Sequence, residues 1–455
     1  MPYQLLIGPV LGKISKNNKV PILIECESSN SHEQITLCVY SDGQEQTYMF
    51  DYSSEPMLLY IDLLNNTSIH TIKFKNVCVI DNYAECKFNP INTGTAIISC
   101  DGDGMYHYDT GIKSHAWNSL NNSDITNAIH IGDQVYIDDV YNSTRITADS
   151  SDTEMRTIFT DEIKSVYHSS WFVCKSKQQF LANHLNIMII DDHDVYDNFT
   201  SIDFEMNKYD RKMKIFLDVA SKLAAIYQIG LSQSDVHISD YTDLRNISKV
   251  TTLESIHTKF IIVNSRLTKS YSHMFGDDIL EQIELEANNS NHKKIVLVDQ
   301  VSPFIVSNCI TNMKFLFSMS GIDITDHVTY NKQWIKDYTR LFDIMFNIEK
   351  TKTIAYVTGD LHVGQEHTLF RSCDGREMHC MTSSPLSSNV GLKNFGYIAH
   401  CIFNLTAQSY NGYTYINKFV YANNYVIIHD RYNCLCASNS KDEPFENIVA
   451  RFPNK

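Results

Sequence analysis

Over residues 1–90, short apolar runs recur at intervals of roughly 10–15 residues between polar turns, the cadence of consecutive strands. The runs cover 4–7, 22–26, 35–40, 47–50, 58–63 and 71–79, with turns such as Lys16-Asn17-Asn18-Lys19 and Ser41-Asp42-Gly43 between them. No helical period intervenes, so the segment predicts a small antiparallel β-sandwich domain. Farther along, the pattern changes. Met213, Phe216, Leu217, Ala220, Leu223, Ala224 and Tyr227 repeat at helical spacing, and Gly230 is placed as a C-cap. Ile335, Tyr338, Phe342 and Met345 predict a second helix over 332–348, and an aromatic-rich third is expected near 161–184. Strands alternating with helices predict an α/β domain over 91–455, with the polar stretch 284–294 as a loop.

Charge narrows the partners. Lys and Arg total 38 against 53 Asp and Glu, a net charge of −15, which argues against a long nucleic acid gripped along its phosphates. A small phosphorylated substrate is compatible with that balance if a local cation, such as a metal, offsets it. No uninterrupted apolar stretch of about 20 residues is present, so no membrane span is expected. The N-terminus has no basic segment leading an apolar one, and the twelve cysteines read as reduced thiols in a cytoplasmic setting.

Four strand-like runs end in residues that bind metals. Residues 96–99 lead into Cys100-Asp101-Gly102-Asp103-Gly104, and 129–132 into Asp133-Gln134-Val135-Tyr136. Residues 187–190 lead into Asp191-Asp192-His193-Asp194, and 354–359 into Asp360-Leu361-His362. Ligand sites in α/β sheets form beyond the carboxyl ends of strands, so these four ends would gather into one pocket. So many carboxylates repel one another, and cations relieve the repulsion. Single residues have plainer readings. Met105 stands where an EF-hand loop needs oxygen, so Asp101 to Gly104 reads as a turn, with Asp101 near the metals. Asp191 and Asp194 are either site residues or helix caps. His130 reads as a strand residue facing away from the site, and Cys434 and Cys436 as core.

The order Gly132-Asp133…Tyr136, Asp192-His193-Asp194…Asn198, Gly359-Asp360-Leu361-His362 and Ser384-Pro385-Leu386-Ser387 resembles the PhoD-like alkaline phosphatase/phosphodiesterase family of binuclear metallophosphoesterases. The opening Gly8-Pro9-Val10-Leu11-Gly12 resembles the entry to that family's N-terminal β-sandwich. The resemblance implies an αββα sandwich catalytic domain and hydrolysis of phosphate mono- or diesters by a hydroxide held between two metals. It implies Asp133 as the bridging ligand and Cys100, Tyr136 and His362 as ligands of a first metal, Fe³⁺. Asp192 and Asp360, with Asn198, fall to a second metal, Ca²⁺ first, with Mn²⁺, Mg²⁺ or Zn²⁺ as alternatives. His193 is implied as the residue that protonates the leaving oxygen or stabilises the transition state.

Two matters stay open. Metallophosphoesterases generally carry an isolated histidine between the third and last motifs, and His237, His257, His273, His292 and His327 all fall there. Arg145, Arg156 and Arg371 are candidates for a phosphate clamp or for ordinary ion pairs. The rival reading is a protein of this fold that has lost catalysis and serves in binding or structure. A dead site shows Ala, Ser or a hydrophobic residue at a ligand position, and Asp133, Asp192, His193, Asp360 and His362 are all intact.

Overall fold

The computed structural model describes residues 3–447 apart from 29–33, 66, 80–81, 92, 102–109, 201–208, 234–235, 271, 304–331, 361, 363, 388–407, 411, 416–417, 421, 431 and 439–445. Among the described residues the fold is mixed α/β with three sheets. The first comprises β1 (Tyr3–Leu11), β2 (Lys19–Ser28), β3 (Gln34–Ser41), β4 (Gln44–Asp51), β5 (Met57–Asp62), β6 (His70–Val79) and β7 (Asn82–Phe88). All six predicted runs fall in strands, apart from the last residue of the 58–63 run. The pairing is antiparallel except between β1 and β6, which run parallel, a departure from the expected all-antiparallel pattern. The reading along the chain missed β7, where Cys86 and Phe88 point into the core and Glu85 pairs with Lys73 across the strands.

The second sheet runs in the order β10 (Leu185–Ile189), β9 (Asn127–Ile131), β8 (Gly94–Ile98), β20 (Asn423–His429), β21 (Asn433–Ser438) and β22 (Glu446–Asn447). The third runs β11 (Val250–Glu254), β12 (Thr258–Val263), β13 (Lys294–Asp299), β14 (Thr353–Thr358), β16 (Glu377–Thr382), β15 (Gly364–Arg371), β18 (Tyr413–Tyr415) and β17 (Gln408–Tyr410), with β19 (Lys418–Val420) beside β15. The strands that matter for the site are β8 (Gly94–Ile98), β9 (Asn127–Ile131) and β10 (Leu185–Ile189) in the second sheet, and β12 (Thr258–Val263), β13 (Lys294–Asp299) and β14 (Thr353–Thr358) in the third. Each trio runs parallel. Parallel strands are buried on both faces, which explains their near-continuous apolar sequences. Ile97, Ile129, Ile131, Ile187 and Ile189 of the second sheet share one cluster with Phe260, Ile262, Val296, Val298, Ala355 and Val357 of the third. Ile98, Ala128 and Met188 instead join the helices α1 (Thr110–Asn121), α2 (Asp152–Trp171), α3 (Lys175–Asn183) and α4 (Arg211–Ala224). Ile261, Leu297 and Tyr356 pack with α5 (Asp277–Asn288) and α6 (Lys332–Asn347). Ala182 and Leu185 sit in the core of the first sheet, and Ile7 and Val10 in that of the helices, so apolar packing ties the N-terminal strands to the rest.

Several expectations change in detail. The helix expected near 161–184 is two, α2 and α3. The stretch 284–294 is no loop throughout: it completes α5, whose Ile279, Leu280, Ile283 and Ala287 are buried, and ends at the start of β13. Gly230 does not cap α4, because the helix runs on through a π turn at Ala225–Ile229 to Ser232. A Cβ at Gly230 would lie 2.3 Å from Leu58 Cδ1, so close packing against the first sheet accounts for this glycine. The helix from Arg211 to Ser232 is long and apolar enough to cross a membrane, yet 83% of its most apolar window is buried within the fold. It is a core helix.

Candidate metal centre

The carboxyl ends of β8, β9, β10, β12 and β14 converge between the second and third sheets. Two glycines allow the approach. A Cβ at Gly132 would fall 2.2 Å from Asp191 Cβ, and its φ of +96° is strained for any side chain. A Cβ at Gly359 would meet Ser99 Oγ at 2.6 Å and Ile131 Cδ1 at 3.0 Å, so this glycine lets β14 reach β8 and β9. Gly132→Ala is therefore expected to cost more than about 2 kcal/mol, read as a lowered denaturant midpoint. An unchanged midpoint would show that this end of β9 yields easily. The backbone stores further strain here, since Cys100, Asp133, Asn198, Asp360 and His362 all have φ between +50° and +70°. Residues held in the left-handed region cluster where a surrounding structure over-determines them.

Four donors meet around Asp133 Oδ2. Cys100 Sγ is 3.4 Å from it and Tyr136 Oη 3.1 Å, while Tyr136 Oη lies 2.9 Å from His362 Nε2. Cys100, Asp133 and His362 each offer a ligand atom within 4.8 Å of the others. Such separations suit donors sharing one ion at roughly 2.0–2.3 Å. Asp133 is buried and its Oδ1 has no hydrogen-bond partner. Burial, with Cys100 beside it, pushes its carboxyl well above the ordinary range, and burial pushes the Cys100 thiol up to about 12. A cation among them would favour the ionised form of both groups. This set fits a metal ion. Ser384 supports it with one hydroxyl, which donates to Cys100 Sγ at 3.1 Å and accepts the His362 N–H at 2.8 Å.

Asp191, Asp192 and Asp360 form a second cluster of ligand type. It already holds a cation, the Arg266 guanidinium. Arg266 Nε donates to Asp191 Oδ1, and Nη2 lies 3.1 Å from Asp192 Oδ1 and 3.6 Å from Asp360 Oδ2. This arginine follows β12 and is 1% exposed. The second cluster thus has the same ligand-type geometry as the first, with a guanidinium set among its carboxylates. Asn198 takes part through its backbone, donating to Asp192 Oδ2 at 2.8 Å, while its side chain donates to Asp197.

His193 faces the first set, its ring stacked 4.5 Å from that of Tyr136, with Nδ1 2.7 Å from Asp138 Oδ2. Burial opposes its charged form, but Asp133, the hydrogen bond to Asp138 and the field of Asp192 together hold it well above the ordinary histidine range. Asp194 caps no helix. It is fully buried and accepts from the backbone N–H groups of Asp133, Gln134, Val135 and Asp191 and from Gln228 Nε2, at 2.9–3.1 Å. Gln228 lies in the π turn after α4, an irregularity often found beside functional sites.

Other expectations are corrected. Asp101 does not face the metal set: it pairs with buried Lys177 and accepts from Trp117 Nε1 and Ser387 Oγ. Arg145, Arg156 and Arg371 pair with Glu162, Asp218 and Asp374. Their carboxylate partners and outward placement leave them no part in the cluster. His237, His257, His273 and His292 do not join it either among the described residues; His327, Gly102, Asp103 and Met105 lie outside those residues. His130 points away, bonded to Gln134 and Asn186, as expected, and Cys434 and Cys436 are buried. Sequence reading missed Arg266, Asp138 and the role of Ser384. The strand-end rule that found the other motifs also points to Asn264-Ser265-Arg266 after β12.

No family model matches the sequence, and no curated protein does. Solved structures are similar in fold. The structure of PhoD superposes with a TM-score of 0.65 over 96% of this chain and 87% of that one, at 10% identity. A purple acid phosphatase from yellow lupin (Lupinus luteus) seeds gives 0.56 over 96% of this chain and 73% of that one, also at 10% identity.

Proposed function

We propose that this chain, built on the fold it shares with PhoD and a purple acid phosphatase, is a metal-dependent hydrolase of phosphate esters. One observation carries the reading: the donors of Cys100, Asp133, Tyr136 and His362 share a pocket with His193, whose imidazole is anchored by Asp138. Thiolate and phenolate donors favour Fe³⁺ there, and the bound metal would supply Lewis acidity toward the phosphoryl group and a more acidic water. The chain's own residues do the rest. Asp138 fixes the His193 ring through Nδ1, which leaves Nε2 to carry a proton to the leaving oxygen. The net charge of −15 favours small phosphorylated substrates, either mono- or diesters, over long polyanions. With this function goes a division into an N-terminal β-sandwich over 1–90 and an αββα catalytic domain over 91–455, in keeping with an apolar cluster drawn mostly from residues before 90.

The test is hydrolysis of p-nitrophenyl phosphate and bis(p-nitrophenyl) phosphate by protein loaded with iron and then treated with chelator. Turnover that chelation removes supports the proposal; no turnover of either ester after loading with iron, manganese, calcium and zinc overturns it. His193→Gln sharpens the test. A proton donor contributes about 10²–10⁴-fold, so the variant should lose that much on an alkyl ester and far less on a nitrophenyl ester, whose leaving group needs no proton. Equal losses on both esters would remove the proton-donor role.

A further inference from the structure

We propose that the centre holds a single metal ion, in the Cys100–Asp133–Tyr136–His362 pocket, and that the buried Arg266 guanidinium is its fixed second cation. The inference rests on the metal-dependent reading above. Three features argue that the arginine is built in rather than a surface side chain folded over acidic neighbours. It reaches all three carboxylates of the Asp191–Asp192–Asp360 cluster: Asp191 through Nε, and Asp192 and Asp360 through Nη2. Its backbone is held as firmly as its head. Ser265, Arg266 and Leu267 form a buried 3₁₀ turn, the Arg266 N–H donates to Gln300 Oε1 at 3.1 Å, and Gln300 Nε2 donates to the Ile190 carbonyl and to Asn264 Oδ1. That network locks the ends of β10, β12 and β13 together. Finally, the guanidinium is buried within the fold, at 1% exposure.

The chemistry is consistent with a shared task. A guanidinium is planar, permanently charged and suited to carboxylate and phosphate oxygens, so it neutralises the second carboxylate set without a ligand exchange. Breaking a buried ion pair by removing one partner is strongly unfavourable, so Arg266 and the three aspartates stabilise one another. A second metal ion at the Asp191–Asp192–Asp360 cluster would have to displace a cation already in place. Arg266 lies in the interval between the third and last motifs, where the choice among histidines was left open.

Metal stoichiometry decides the matter without an activity assay. Protein purified without chelator or polyhistidine tag, saturated with iron, manganese and calcium and then desalted, should hold one equivalent of metal per chain. Cys100→Ala should lose it, whereas Asp360→Asn should keep it. Arg266→Ala, with its three carboxylates exposed to ions, should take up a second equivalent, and once iron-loaded should gain several degrees of melting temperature on adding Mn²⁺ or Ca²⁺, which the iron-loaded parent protein does not. Two equivalents in the parent protein overturn this inference while leaving the hydrolase reading intact; no metal at all overturns both. A folded Arg266→Ala that still holds one equivalent overturns it as well. Should Arg266→Ala fail to fold, Arg266→Lys keeps the charge, and retention of one equivalent supports the inference where two would sink it.

Discussion

Asp133→Asn is expected to lower kcat/KM by at least about 10³-fold, some 4 kcal/mol of transition-state stabilisation at 1.36 kcal/mol per tenfold. The carboxylate is the common member of two ligand clusters, one with Cys100 and His362 and one with Asp192 and His193. Its Oδ2 also sits between Cys100 Sγ and Tyr136 Oη, so the amide would leave the pocket without its central anionic donor. The fold should not suffer. Burial disfavours the charged form of Asp133 in the metal-free protein, so an isosteric neutral amide relieves a cost there. Metal-free Asp133→Asn should therefore melt at or above the temperature of the metal-free parent, while the metal-loaded comparison reverses in favour of the parent. The same burial makes metal uptake by the parent release protons and tighten as pH rises. Measured together, turnover, metal content and the two melting curves separate loss of a ligand from loss of structure. Activity within tenfold of the parent would remove Asp133 from the centre.

What was legible in the sequence was what a residue type announces alone. Apolar runs announced strands, and the ligand types at their ends announced a site; Cys100, Asp133, Tyr136, Asp192, His193, Asp360 and His362 do come together. What was not legible depends on partners and backbone. Arg266 escaped because a search for metal ligands passes over cations, although a buried cation answers the same electrostatic demand as a metal. Arg145, Arg156 and Arg371 look equivalent to it in sequence and differ in what surrounds them: each lies beside a carboxylate near the surface. The left-handed conformations of Cys100 and His362 follow from the convergence of strands in different sheets, and no local pattern encodes that convergence. The π turn that brings Gln228 to Asp194 is likewise invisible to a helical periodicity, which continues across it unbroken.

Asp194→Ala should produce the largest loss of stability in the site, about 3–5 kcal/mol, because one buried carboxylate satisfies five N–H donors. Four of these are backbone groups, three beyond β9 and one beyond β10, so the carboxylate works as a clasp between two strand ends. Alanine leaves the four backbone donors buried and unpaired, and Gln228 Nε2 with only its bond to Tyr167 Oη at 3.0 Å. Asparagine keeps one acceptor oxygen but turns an NH₂ group toward N–H donors, so it should recover roughly half of the loss or less. The clasp also sets function. Its partners Asp133 and Asp191 stand on either side of the centre, and a displacement of about 1 Å in a reacting group costs on the order of 10² in rate. Both variants should therefore lose activity by about that factor under conditions where they remain folded, with metal affinity falling alongside. Gln228→Leu removes one donor and keeps the four backbone bonds, so its effect on the denaturant midpoint should be a small fraction of that of Asp194→Ala. If Asp194→Ala unfolds within about 1 kcal/mol of the parent, the strand ends are held by the sheets and not by this carboxylate.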